Sequence, residues 1–332
     1  MENFCTLFDS NYLTRGLALI SSLKNIKDDF HLYIFAFDDL TEETLKNLHY
    51  PEITVINIKA IEDKTLRNVK ETRSKGEYCW TCTPIVILHC INKFNLPRCT
   101  YLDADIFFFS SPLQIINEME NEHSILLTKH NYSKQYDQTN IRGKYCVQFM
   151  TFKNNTVGIS ALEWWKERCI EWCYAHFEDG KFGDQMYLDD WTERFKGVLV
   201  SSKTGCGIAP WNVRDFKVTT KSEKTFVENK ANKLSGELIF YHFHYLKIFK
   251  NNSLRYSYYQ IPFSAKKYIY SKYIFSILES ENLLFKMNDT LSIFFREEDP
   301  KVTPMSFLRW IKTILNGTSN RENINKSLFI GK

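Results

Sequence analysis

Tyr101-Leu102-Asp103-Ala104-Asp105-Ile106-Phe107 is an apolar run carrying two carboxylates two residues apart. It reads as the middle of a strand over 100–109, the last of four strands that alternate with helical segments. Upstream, 4–8 is a short apolar run closed by the turn cluster Asp9-Ser10-Asn11. Over 14–23, Leu17, Ile20 and Leu23 recur at helical spacing with small residues between them. A buried strand over 32–37 ends in Asp38-Asp39, and Thr41-Glu42-Glu43-Thr44 opens a short helix over 41–48. The β-branched alternation of 53–58 gives the third strand, and 83–91 opens with Pro84, a residue suited to a first helical turn. Repeated β-α-β units predict an α/β fold with a mostly parallel sheet and right-handed crossovers. Ligands of such sheets sit at the carboxyl ends of the strands, where this reading puts Asp9, Asp38 and Asp103.

Composition narrows the class. The 332 residues are 44% hydrophobic, 25% charged and 15% aromatic, which excludes general disorder and supplies a core that needs no disulfide staple. Net charge is +4, too mild to indicate a nucleic-acid partner. The excess is local: 251–332 holds 12 Lys/Arg against 7 Asp/Glu. We therefore expect an α/β domain over 1–250 and a basic helical extension over 251–332, with helices at 266–285 and 305–315 separated by Asp299-Pro300. From 145 to 250 the reading is mixed, with strands at 145–152 and 197–201 and a helix at 159–177. No apolar stretch approaches the roughly 18 residues of a membrane span. With no basic leader after Met1, the nine cysteines read as reduced thiols of a cytoplasmic protein.

Three segments could carry chemistry. Asp103 and Asp105, flanked by apolar residues, either hold a divalent cation through oxygen ligands or end a strand in solvent. In Phe240-Tyr241-His242-Phe243-His244-Tyr245-Leu246-Lys247, an imidazole completes carboxylate sites for Mn²⁺ more readily than for Mg²⁺, and Lys247 suits a phosphate. The alternative is a pair of sheet-edge histidines. In Gly180-Lys181-Phe182-Gly183-Asp184-Gln185, an acceptor and an amide face a polyhydroxylated substrate, or simply cap a helix. Cys79-Trp80-Thr81-Cys82 is a weak redox or zinc signal. Met305-Ser306-Phe307-Leu308-Arg309-Trp310-Ile311-Lys312 reads as a basic amphipathic helix, either closing the domain or lying peripherally on an anionic membrane. The absence of Walker, Gly-x-Gly-x-x-Gly and Gly-x-Ser-x-Gly patterns excludes P-loop kinases, dinucleotide dehydrogenases and most serine hydrolases.

In this order, from residue 4 to about 250, the motifs resemble those of GT-A glycosyltransferases, above all glycosyltransferase family 8. The resemblance implies a GT-A fold and transfer of a hexose, with retention, from a nucleotide-diphosphate sugar, by default a UDP-sugar. The acceptor would be a saccharide, free or lipid-linked, in bacterial surface polysaccharide synthesis. It implies Mn²⁺ or Mg²⁺ on Asp103, Asp105 and His242, with His244 the alternative ligand. It further implies a donor-nucleotide pocket of Phe8, Asp9, Tyr12 and Ala104, Lys247 on the diphosphate, and Asp184 and Gln185 as catalytic residues beside the donor sugar. The chain departs from the family pattern in three places. Cys146-Val147-Gln148 stands where an Asn-x-Gly is common, Tyr245 stands where the His segment has Gly, and the Arg usual before the two aspartates is missing. The rival readings are a sugar-phosphate nucleotidyltransferase and a non-catalytic relative that binds carbohydrate or nucleotide sugar.

Overall fold

A computed structural model of the chain describes residues 1–288, 296–298 and 321–324. β1 (Glu2–Phe8) leads through a 3-10 turn at Ser10–Tyr12 into α1 (Leu13–Ile26), β2 (Phe30–Ala36), α2 (Asp39–Asn47) and β3 (Ile53–Asn57). Two of the aspartates at the strand ends, Asp9 and Asp38, are caps. Asp9 accepts from the Asn11 N–H at 3.1 Å and Asp38 from the Thr41 N–H at 2.8 Å, satisfying donors with no intrahelical partner. Asp38 also accepts from the Ser10 N–H at 2.8 Å, which ties the ends of β1 and β2 together.

Next come α3 (Lys64–Thr72), α4 (Lys75–Lys93) and β4 (Arg98–Leu102). The helix expected over 83–91 starts earlier, and Pro84 lies inside α4. The start is set by Ser74 and Glu77, which form a capping box. Pro84 removes one ladder bond, to the Trp80 carbonyl. Burial of Val86, Ile87, Cys90 and Ile91 on the next turns holds the helix in place.

Beyond β4 the chain forms β5 (Ile106–Phe108), the single turn α5 (Leu113–Ile116), β6 (Ile125–Lys129), a second turn α6 (Thr139–Arg142) and β7 (Tyr145–Lys153). Then follow α7 (Thr156–Glu171), α8 (Trp191–Arg194) and β8 (Val198–Val200). α7 ends six residues short of the helix read over 159–177, because Trp172 turns extended. The main sheet has the order β3-β2-β1-β4-β7-β6-β8. β7 alone runs against the rest, so the sheet is mixed but mostly parallel, flanked by helices. Alternation along β1 divides the core. Cys5 and Leu7 join α4 and α7, while Phe4 and Phe8 join α1 and Leu45 of α2. Cys5, Cys90 and Cys99, all fully buried, bring their sulfurs within 4.8 Å of one another between β1, α4 and β4.

The remainder is β9 (Phe216–Lys221), β10 (Lys224–Asn229) and β11 (Ser235–Glu237) in a small antiparallel sheet, then β12 (Phe240–His242), β13 (Lys247–Ile248) and β14 (Ser253–Arg255). α9 (Phe263–Ala265) continues through a π turn at Lys266–Tyr270 into α10 (Ser271–Met287), and β15 (Arg321–Asn323) pairs with β14. The division expected at 250 falls inside the β13–β14 hairpin. Tyr256, Tyr270, Tyr273 and Ile277 share one buried cluster with Ala18 of α1, Phe107 of β5 and Tyr241 of β12. Composition changes at 250; packing does not. The helix expected over 305–315 lies outside the described residues. Among the described residues no helix is long and apolar enough to cross a membrane.

Candidate active site

At the carboxyl ends of β1 and β4 lies a cavity of about 410 Å³. Of the residues to which the family resemblance gave a role, all but Lys247 line it: Phe8, Asp9, Tyr12, Asp103, Ala104, Asp105, Asp184, Gln185, His242 and His244. Strand pairing assembles its floor. β5 and β12 are antiparallel with His242 opposite Ile106, one residue from Asp105. The Phe243 N–H donates to the Asp105 carbonyl at 2.9 Å, closing the same ladder. His242 Nε2 then lies 3.1 Å from Asp105 Oδ1 and 3.8 Å from Asp103 Oδ2. Asp105, His242 and His244 each bring a ligand atom within 4.8 Å of the others, a grouping able to hold a metal ion.

The orientation of His242 is built in. Its Nδ1 lies 2.8 Å from Gln148 Oε1, and the Gln148 amide is itself placed by donating to the Thr128 hydroxyl at 3.4 Å. With the Gln148 oxygen as acceptor, Nδ1 carries a hydrogen and Nε2 faces the aspartates, so Nε2 is the nitrogen that would bind a metal once its own proton is displaced. Trp211 packs edge-on against His242 and His244 at 5.4 and 5.7 Å, while its Nε1–H donates to the His130 carbonyl at 2.7 Å. The Tyr101 hydroxyl donates to Asp103 Oδ1 at 3.0 Å.

Burial and charge set the protonation states. For Asp105, burial favours the neutral acid, but the facing His242 charge outweighs it and holds the carboxyl below its ordinary value. His242 is the mirror case: burial pulls it down, and Asp105 holds it well above the ordinary imidazole value. Burial, aided by the His242 charge, pushes His244 down to about 3, so that ring is neutral. Burial raises Asp103 as well. Asp184 stands apart. Burial, with Asp103 adding repulsion, pushes it up to about 8, and its Oδ2 is buried with no hydrogen-bond partner. The Trp165 Nε1–H holds the Asp184 carbonyl at 2.8 Å, and Gln185 Nε2 donates to the Arg142 carbonyl at 2.7 Å.

Lys247 is not brought to the cavity. It opens β13 opposite Arg255, and its ammonium pairs with Glu297 at 2.6 Å. The positive φ of Tyr245, 65°, turns the chain two residues before it. Among the described residues Cys79 and Cys82 form neither a disulfide nor part of a metal grouping; burial pushes the Cys82 thiol up to about 12, away from the reactive range of a redox pair.

No family model matches the chain. Two proteins of Bacillus subtilis (strain 168) do match. The uncharacterized protein YfnF is 33% identical over 260 residues, 76% of this chain and 84% of YfnF. The uncharacterized protein YfnD is 31% identical over 284 residues, 83% of this chain and 88% of YfnD. The chain belongs to the family of YfnF and YfnD. Among solved structures, it resembles the galactosyltransferase LgtC in complex with donor and acceptor sugar analogs, at 12% identity and TM-score 0.48 over 73% of this chain and 87% of LgtC. It also resembles mouse xyloside xylosyltransferase 1, at 14% and 0.45 over 74% and 98%. At these identities the likeness is one of outline.

What this member of the YfnF and YfnD family holds in its cavity is therefore read from its own side chains. The floor offers anionic oxygen and imidazole nitrogen to a cation. The wall offers a neutral buried acid, Asp184, and an amide, Gln185, pinned by its NH₂ end so that its carbonyl is left to accept. Three residues that matter here escape a reading of the sequence. Gln148 shows only as the end of the departure Cys146-Val147-Gln148, with nothing to tie it to His242, Trp211 only as an aromatic in a loop, and Arg142 only as the end of a short turn.

Proposed function

We propose that this chain is a metal-dependent glycosyltransferase of the GT-A type, moving a hexose from a nucleotide-diphosphate sugar, by default a UDP-sugar, to a saccharide hydroxyl with retention. The observation that carries the reading is the floor of Asp105, His242 and His244 set in one cavity with the Asp184 carboxyl, whose Oδ2 is buried without a hydrogen-bond partner. Its volume lies in the range of ordinary small-molecule sites.

Asp105, His242 and His244, with Asp103 behind them, would hold Mn²⁺ or Mg²⁺, which as a Lewis acid steadies charge on a diphosphate. Hydrophobic and aromatic walls from Phe8, Tyr12 and Trp80 suit a nucleoside in the same cavity. In the transfer, the bond between the anomeric carbon and the phosphate oxygen breaks with its electron pair leaving on the diphosphate. The acceptor hydroxyl oxygen bonds to that carbon from the same face, and its proton passes to the departing phosphate oxygen. The Gln185 carbonyl and the Asp184 carboxyl line the same cavity, and in this reading they would steady the positive charge that grows on the sugar.

The test is nucleotide release from UDP-, GDP-, dTDP- and CMP-sugars, with Mn²⁺ and with chelator. Slow release from one donor, abolished by chelator and by Asp105→Asn, is the expected result. Release that ignores both chelator and substitution, or no release from any donor with a pool of saccharides present, overturns the reading.

A further inference from the structure

Arg142 lines the cavity with a guanidinium that no carboxylate of the described residues neutralises. Its Nε is buried without a hydrogen-bond partner. The group stacks on the Phe182 ring, 4.7 Å from the centroid, and its charge reaches His244 and His130, helping to keep both rings neutral.

The backbone beneath it is clamped from every side. Asp137 Oδ1 accepts from the Thr139 N–H at 2.9 Å and from its hydroxyl at 2.6 Å. Gln185 holds the Arg142 carbonyl. His130 Nδ1 meets the Gly143 carbonyl at 3.0 Å, and Asp189 Oδ1 accepts from the Lys144 N–H at 2.6 Å. Gly143 has φ +88, and a Cβ there would sit 2.9 Å from Asp189 Oδ1. A rigid loop thus presents a partly dry, unpaired cation, which is costly unless a ligand brings the opposite charge. The planar fork of a guanidinium matches two oxygens of a phosphate or a carboxylate.

We infer that Arg142 is the anion-binding side chain of this cavity, gripping a phosphate or a carboxylate of the bound sugar nucleotide, while Lys247 takes no part. The inference rests on the donor reading above. The two sources of the anion separate in calorimetric titrations of the full chain with Mn²⁺, using UDP, UDP-glucose and UDP-glucuronate, or the same three esters of whichever base the release assay selects. If the diphosphate is the target, Arg142→Gln weakens all three by about 10- to 100-fold. If a sugar carboxylate is the target, wild type prefers the glucuronate and Arg142→Gln loses that preference alone. Arg142→Lys, which keeps the charge without the fork, falls between, and Lys247→Gln matches wild type throughout. Thermal melting of each variant checks the fold; should Arg142→Gln not fold, Arg142→Lys carries the comparison. Arg142 variants that bind all three ligands like wild type overturn the inference and spare the donor reading. Wild type that binds none of them overturns the donor reading, and this inference with it.

Discussion

Burial favours the neutral forms of His242 and Asp184 alike, yet only Asp184 yields to it. Its folded value of about 8 lies above the ordinary 3.8 of an unfolded carboxyl, so folding takes up a proton between those values. Stability from this group is fully present below about pH 4 and is lost as the pH rises to about 8. Asp184→Asn should flatten that decline in urea unfolding measured from pH 5 to 9, and a parallel decline in the variant would contradict the assignment. Gln148 acts on the floor through His242. Gln148→Leu should keep the fold and weaken Mn²⁺ affinity by about 10- to 100-fold, read by calorimetry. At this scale the sequence was legible where residue type announces chemistry: paired aspartates, paired histidines, an Asp-Gln. It was illegible where a residue works through a distant partner, since Gln148 and His242 lie 94 positions apart.

Elements place these residues by register. Side chains on a strand alternate, so a slip of one residue between β5 and β12 would turn His242 away from Asp105. α4 supplies cavity-lining Lys75, Cys79 and Trp80 from its first turns, and those turns depend on the Ser74 and Glu77 box. Ser74→Ala should cost about 1 kcal/mol of stability in denaturant titration, with the slope of the transition unchanged. The β-α alternation of the first half could be read because each element has its own periodicity and its own end signal. The start of α4 does not show in the sequence, because Pro84 is a stronger punctuation mark there than Ser74, while burial of the helix overrides it. β12 and β13 are too short for a pattern, so the fate of Lys247 could not be foreseen.

Across the whole molecule, the mostly parallel sheet follows from local order, but the closure of the core does not. Tyr270 and Tyr273 pack against Tyr241, Phe243 and Phe107, joining the chain beyond 250 to the floor of the cavity. A change in charge composition marked a boundary that packing ignores. A chain ending at 250 would expose Tyr241, Phe243 and Ile208, all buried in the intact protein. Such a fragment should fail to unfold cooperatively and should bind a hydrophobic dye; a sharp melting transition would refute the shared core.

Thiol accessibility gives the molecule two clocks. Eight cysteines are buried, the Cys5, Cys90 and Cys99 trio entirely, whereas Cys79 is partly open and borders the cavity. An alkylating mass tag should therefore add once, slowly, to the native protein, since burial holds the Cys79 thiol above its ordinary value. A nucleotide seated in the cavity should shield that position and slow the single addition further. The other eight additions should arrive together, at the rate at which the sheet opens, so that one mass spectrum reports occupancy and unfolding separately.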